Sequence, residues 1–333
     1  MPHACTAANR SLAVAAAAVT LAAISVVLSI APAAAQYPTR PIRIVVPFAP
    51  GGGNDIAARF VAQMFNESFG QAGVVDNRPG GGSTLGTAIA AQANPDGYTI
   101  LVSHNAMAIN TTLYAKLPYD AIRDFAQVAL IAETTNILVV HPSSGVKTVK
   151  DLLALLRAKP GVFNYASTGA GGTSHLATEY FQQLTKTSMV HIPYKGTGPA
   201  LSDLVGGSTQ FMIAAAPGTL GFIKGGRLVP LATTGVKRWA QLPELPTLDE
   251  AGVPGYQFDT WYGAHAPAKT PRPIVLRLNA EINKALQVPG LRAKLSESGL
   301  DPAGGTPEAF TKFMRAETER MRKIIVASGA KPE

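Results

Sequence analysis

The pattern that most limits this chain is a junction that recurs. A short β-branched run meets a cluster of glycines, and a polar residue then opens an amphipathic helix. It occurs at Pro47 to Asp55 (PFAPGGGND) and at Ala166 to His175 (ASTGAGGTSH), with a variant at Asn77 to Thr84 (NRPGGGST). Strands that alternate with helices in this way specify parallel sheets with crossover helices.

The rest of the chain follows the same grammar. Strands are expected at Ile42 to Phe48, Val74-Val75 onward and Tyr98 to Ser103, then again at Ile137 to Val140, Phe163 to Ser167, Met189 to Tyr194, Phe211 to Ala215 and Leu228 to Thr233. The first helix shows Ile56, Phe60 and Met64 in an i, i+4 row, with Ala57, Val61 and Phe65 alongside. Asn54 or Asp55, Ser83 or Thr84, and Thr173 or Ser174 are the expected caps. Between Lys237 and Gly255 the pattern is irregular and proline-rich. A strand-like run, Phe258 to Ala264, follows, and then three helical stretches, Ile274 to Leu286, Leu291 to Ser298 and Pro307 to Ala327. Three helices without strands of their own make a poor domain, so they are expected to pack back on the first α/β unit. The chain then crosses between units twice, near Thr135 and near Gln257, which is a hinge arrangement.

The chemistry of the junction points to an anion. A helix starts with unpaired N–H groups and a partial positive charge. Glycine lets a ligand approach those donors with no Cβ in the way. Two such loops at the C-terminal ends of strands in two facing units can converge on one carboxylate, so Gly52 and Gly171 are expected to tolerate side chains poorly. The structural alternative is that the glycines serve only tight turns.

The N-terminus is set apart from this pattern. Arg10 precedes an almost wholly apolar run from Leu12 to Ala31, and Ala33-Ala34-Ala35 fits an A-x-A cleavage site. The reading is a secretory signal over residues 1–35, with Gln36 as the new N-terminus. The only cysteine, Cys5, lies inside it, so the mature chain has no disulfide, thiolate metal site or cysteine nucleophile. The remaining roughly 300 residues are enough to stabilise themselves by core burial. The formal charge is +8, or +7 once Arg10 is removed. The basic residues are scattered, with no run or aromatic-interleaved stripe, so nucleic acid is not the expected partner. A positive field does favour anionic ligands.

Other chemistries fit poorly. No glycine loop ends in Gly-Lys-Ser/Thr, and six positions from Gly169 a dinucleotide fingerprint meets Ser174 instead of glycine. There is no G-x-S-x-G elbow around Ser167. His175 either braces its loop or touches ligand, and neither it nor Glu179 has a second histidine cluster to complete a metal site. His104 follows the third strand and can line the cleft, His191 lies within a strand, and His265 sits near the returning strand. Asp55 precedes Arg59 by one helical turn, which explains it as an ion pair. An Asp55 facing the cleft would instead accept an ammonium group. The ligand is therefore an amino acid or a plain acid according to where this side chain points.

Six stretches carry a resemblance across nearly the whole mature chain: YPTRPIRIVVPFAPGGGND, VDNRPGGGSTLG, NPDGYTIL, ASTGAGGTSHLA, HIPYKGTGPALSDLVGG and RWAQLPELPTLDEAG. In order, they resemble the Bug-type receptors of tripartite tricarboxylate transporters. The resemblance implies a two-lobed periplasmic-binding-protein architecture. Each lobe is a mostly parallel sheet flanked by helices, and a carboxylate is held in the cleft between them. Residues 36–135 and 258–333 then form the first lobe and 136–257 the second.

The family's first anchor loop maps onto Phe48, Pro50, Gly51, Gly52, Gly53, Asn54 and Asp55, with Gly53 a third glycine after the usual pair. Its second maps onto Ser167, Thr168, Gly169, Gly171, Gly172, Thr173 and His175. Ser103, His104, Tyr194, Lys195 and Ala215, at the ends of neighbouring strands, complete the expected site. No arginine clamp is evident at these loops, in keeping with the family's backbone and water-mediated capture; Arg78 and Lys195 are the exceptions to check. The implied protein is a monomeric periplasmic receptor without cofactor or metal, whose partners are a small carboxylate and membrane permease subunits. The alternatives are a ligand-sensing co-receptor and, from another class, a secreted hydrolase.

Overall fold

The structure, a computed structural model, describes residues 37–331. The expected signal segment, its cleavage site and Gln36 lie outside these residues. The account below concerns the compact unit from Arg40 onward.

The chain first forms β1 (Ile42–Val46), α1 (Gly53–Phe69), β2 (Gly73–Asn77), α2 (Thr84–Ala91), β3 (Thr99–His104), α3 (Ala106–Leu113) and β4 (Phe125–Thr134). One residue later it continues as β5 (Asn136–Val140), α4 (Val149–Ala158), β6 (Asn164–Ser167), α5 (Thr173–Thr185) and β7 (Val190–Pro193). Then come α6 (Thr197–Val205), β8 (Phe211–Ala215), α7 (Ala216–Lys224) and β9 (Val229–Thr233). The chain closes with β10 (Thr260–Pro267), α8 (Arg272–Gln287), α9 (Pro289–Glu297), β11 (Asp301–Pro302) and α10 (Pro307–Ser328).

Two helix-flanked sheets result, in the orders β11-β4-β10-β3-β1-β2 and β7-β6-β8-β5-β9. In the first, β2, β1, β3 and β4 point one way and β10 and β11 the other. In the second only β5 is reversed. The reversal has a simple cause. β5 and β10 are the strands that begin just after the chain crosses between sheets. Each enters its sheet from the end where the other strands finish, so it must run backwards.

The crossings are stitched together by short polar side chains. The Asn136 N–H donates to the Thr234 hydroxyl (2.9 Å), which donates to the Phe258 carbonyl (2.8 Å). The Asn136 amide also donates to the Phe258 carbonyl and accepts from the Thr260 hydroxyl (2.8 Å).

The helix α10 is not confined to the first lobe. Phe310 and Met314 pack with Trp261 and Phe125 under the first sheet. Met321, Ile324 and Ile325 belong to a different cluster, with Ala108 and Leu113 of α3 and Leu138, Phe181 and Tyr256 of the second lobe. A helix of 22 residues is about 33 Å long, enough to reach under both sheets. Four elements were not evident in the sequence: β4, α3, α7 and the two-residue β11. β4 is buried on both faces along most of its length, so it lacks the alternation that marks a half-buried strand.

Candidate functional site

The C-terminal ends of β1, β3, β6 and β8 face one another across the seam between the lobes. Between them lies a cavity of about 20 Å³. The first lobe contributes Phe48, Ala49, Gly52, Gly53, Asn54, His104, Thr260 and Tyr262; the second contributes Asn136, Thr168, Thr173, Ser174, Thr197, Ala214 and Ala215. No lysine, arginine or carboxylate is among these lining residues.

The positive character of the cavity comes from backbone. The helices α1, α5 and α6 begin at this wall on the N-caps Gly52, Gly172 and Gly196, none with a side-chain cap. Of the other helices, α4 and α10 are capped by Thr148 and Thr306, while α2, α3, α7, α8 and α9 also lack a side-chain cap. The expected caps are thus displaced. Asn54, Asp55, Thr173 and Ser174 sit inside the first turn, and the helix-opening N–H groups are left for another partner.

Asn54 makes the point sharpest. Its side chain is 3% exposed, and neither its amide nitrogen nor its oxygen has a hydrogen-bond partner in the protein. A buried unpaired amide costs about 1–3 kcal/mol. His104 lies opposite, with its ring 4.6 Å from that of Phe48. Its Nδ1 accepts the Ala106 N–H (3.0 Å) and faces the Thr173 hydroxyl of the other lobe (3.2 Å). Burial pushes His104 down to about 3, so the ring is neutral and carries its proton on Nε2.

The remaining expected site residues fall into three groups. Asp55 is turned away from the cavity. It pairs with Arg59 (2.9 Å) and accepts from the Gly51 N–H and the Asn77 amide (both 3.2 Å). Pro50 and Gly51 are exposed on the outside of the same loop. Ser103, Ser167, Gly169, Gly171, Gly172 and His175 lie behind or beside the cavity wall. Ser167 is fully buried, 2.5 Å from His191 Nε2, and accepts the Gly169 N–H. His175 braces its loop: its Nδ1 accepts the Gly171 N–H, and its ring stacks on His191 at 4.4 Å. Tyr194 and Lys195 lie in an outer space, with the Tyr194 hydroxyl donating to Asp203 (2.7 Å). Arg78 is paired with Asp76.

Asn136, Ser174, Thr197, Thr260 and Tyr262 are the polar cavity residues not anticipated. Ser174 lay within a junction already read as a helix start. Thr197 follows Lys195-Gly196, a fourth strand–glycine–helix junction that was legible. Asn136 opens β5 just past the first crossing, and Thr260 and Tyr262 lie in β10, the returning strand already read at Phe258 to Ala264.

The glycines answer to different neighbours from those expected. A Cβ on Gly53 would lie 2.0 Å from the Tyr262 hydroxyl. One on Gly82 would lie 1.7 Å from the Ala170 carbonyl oxygen of the opposite lobe. The Ala49 N–H donates to the Lys195 carbonyl across the same seam (2.9 Å). The glycines therefore let the two lobes meet backbone to backbone.

His175 and His265 are also buried and pushed down to about 3, His175 first by burial and then by His191. In the unfolded chain all three histidines titrate near 6.5. The unfolded state therefore takes up protons first as pH falls. Their contribution to stability is intact above about pH 6.5 and is lost between there and pH 3, by at most about 1.4 kcal/mol per pH unit each. Asp259 works the other way. Burial raises its carboxyl to about 6, against the pull of Arg320, so its share of strain eases as pH falls through 6. Burial also raises Glu133; with three histidines against these two carboxyls, melting temperatures are expected to fall steadily from pH 7 to pH 4.5, and a flat profile would contradict this assignment.

Two α/β lobes joined by two crossings, with a small enclosed space between the strand ends, define a solute-binding protein of the periplasmic-binding class. Comparison with known proteins gives the family. The chain belongs to the tripartite tricarboxylate transporter family of receptors, whose family model matches residues 57–330. It is 41% identical over 291 residues to the UPF0065 protein in the tcbD-tcbE intergenic region of Pseudomonas sp. (strain P51), covering 87% of each chain. It is 35% identical over 297 residues to protein BugT of Bordetella pertussis, covering 89% of this chain and 91% of BugT. Among solved structures, R. palustris Rpa4515 with adipate superimposes with a TM-score of 0.87 at 36% identity, over 89% of this chain and all of that one. Among the described residues, no helix is long and apolar enough to cross a membrane, and no group of three or more His, Cys, Asp or Glu is arranged to hold a metal.

Proposed function

We propose that this chain is a periplasmic receptor that encloses a small plain carboxylate, one without an amine, and presents it to the membrane permease of a tripartite transporter. It acts as a monomer, exported by residues 1–35 and cut near Ala35. The observation that carries the reading is the buried, unpartnered Asn54 amide in an uncharged cavity where three helices open without side-chain caps. Such a site offers neutral donors and partial positive charge to a carboxylate. It offers an ammonium group no opposite charge, because Asp55, the nearest carboxylate on the loop, is committed to Arg59. Rpa4515, the structural relative, was solved with a plain dicarboxylate.

We read the site as one of binding, not catalysis. Ser167, the nucleophile a hydrolase would use, is fully buried and engaged by His191 and Gly169. The cavity holds little more than one water, for which about 10–15 Å³ suffices. Entry of a ligand must therefore part the lobes, and its contacts to both must favour the closed form.

Thermal shift with matched pairs tests the reading: succinate against aspartate, glutarate against glutamate, adipate against 2-aminoadipate. At a hundred times its dissociation constant a plain acid stabilises by about 2.7 kcal/mol, and its amino partner is expected to do nothing visible. Amino acids that shift the melt while plain acids do not would overturn it.

A further inference from the structure

We infer that the cleft has a second, outer subsite in which the Lys195 ammonium receives the distal anionic group of an elongated dicarboxylate. This rests on the reading above, in which the inner cavity takes the first carboxylate. The inner cavity, at about 20 Å³, holds little more than one water and has no room for a chain of several carbons. Next to it is an outer space of about 250 Å³ that shares Phe48 and Thr168 as walls. The rest of a longer ligand has this space to occupy.

The outer space is built from both lobes, with Gly80 to Gly82 on one side and Tyr194 and Lys195 on the other. Lys195 is exposed, and it is the only charged side chain on the lining. The phenol of Tyr194 is already spent on Asp203. The main chain of Lys195 is pinned at the seam, where its carbonyl accepts the Ala49 N–H. The charge is thus carried on a flexible stem rooted at a fixed distance from the inner cavity. The two ends of the site differ in kind: fixed backbone dipoles inside, one mobile ammonium outside. An acid with a carboxylate at each end of an unbranched chain matches both.

Isothermal titration of malonate, succinate, glutarate, adipate, pimelate and hexanoate against the wild-type protein, Lys195→Gln and Lys195→Arg tests this. Hexanoate matches adipate in length but has no distal charge. Because the outer site is open to solvent, adipate should bind about three- to five-fold more tightly than hexanoate. That gap should close in Lys195→Gln and persist in Lys195→Arg. Hexanoate and malonate should bind both variants as they bind wild type. A gap that survives Lys195→Gln, or equal weakening of every acid, would overturn the outer subsite and leave the inner one standing. If no acid binds wild type, the carboxylate reading itself fails, and the subsite with it.

Discussion

A single methyl group at Gly82 is expected to weaken carboxylate binding about a hundred-fold or more while leaving the ligand-free fold nearly intact. Gly82 sits at φ 55°, ψ 37°, in the left-handed region. Alanine there costs about 1–2 kcal/mol wherever the lobes stand. The larger effect needs the lobes together. Its Cβ would fall 1.7 Å from the Ala170 carbonyl oxygen, a backbone atom that no rotamer change can move aside. The lobes would have to separate along the seam, and the contacts that enclose a ligand would separate with them. A hundred-fold loss corresponds to about 2.7 kcal/mol.

Gly70→Ala supplies the control. Gly70 has φ 62° at the C-cap of α1, with nothing within 4 Å of its would-be Cβ. It carries the same backbone penalty without the clash. Both variants should melt a few degrees lower without ligand, and calorimetry should find only Gly82→Ala impaired in binding. Equal affinities in the two would mean that the seam contact is absent from the ligand-bound form.

The second large effect is expected at Asn54, and there the two readouts should move in opposite directions. Leucine has the same branched shape and number of side-chain heavy atoms, and its side chain carries no polar atom to leave unpaired. Asn54→Leu should therefore stabilise the ligand-free protein by roughly 1–3 kcal/mol, because a buried amide without partners is removed. It should also weaken carboxylate binding by about ten- to a hundred-fold, since hydrogen bonds to charged groups contribute about 1.5–3 kcal/mol. Thermal melts without ligand and titration with the best acid check the two arms. A variant that melts lower and binds normally would make Asn54 a structural residue.

The contrast between these two positions shows what the sequence alone could say. The glycine junctions were legible because they interrupt a strong strand-to-helix rhythm, and that rhythm also placed the loop Pro47 to Asp55 at the cleft. It pointed to Asn54 and Asp55 as caps, as local propensity would. In the structure Gly52 takes that position, and only the buried surroundings reveal that the Asn54 amide is held without a partner. The function of Gly82 was equally hidden. A glycine next to a turn reads as a turn residue, and its neighbour Ala170 is a tertiary fact. Asn136, Thr260 and Tyr262 were illegible for a related reason. They lie on β5 and β10, where the chain's path between lobes, not its local pattern, decides what a side chain meets. Asp55 was settled by an interaction visible in the sequence, its i, i+4 pairing with Arg59. What the sequence lacked was the knowledge that nothing in the cleft competes for it.

The helix α10 has a consequence for how receptors of this kind can be recombined. Its first half is part of one lobe's core and its last turns are part of the other's. The second lobe is therefore not a cassette bounded by the two crossings. A chimaera that inherits residues 136–257 from a donor would set foreign side chains against the host's Met321, Ile324 and Ile325. A faithful exchange has to carry a third piece, the end of α10, along with the segment between the crossings.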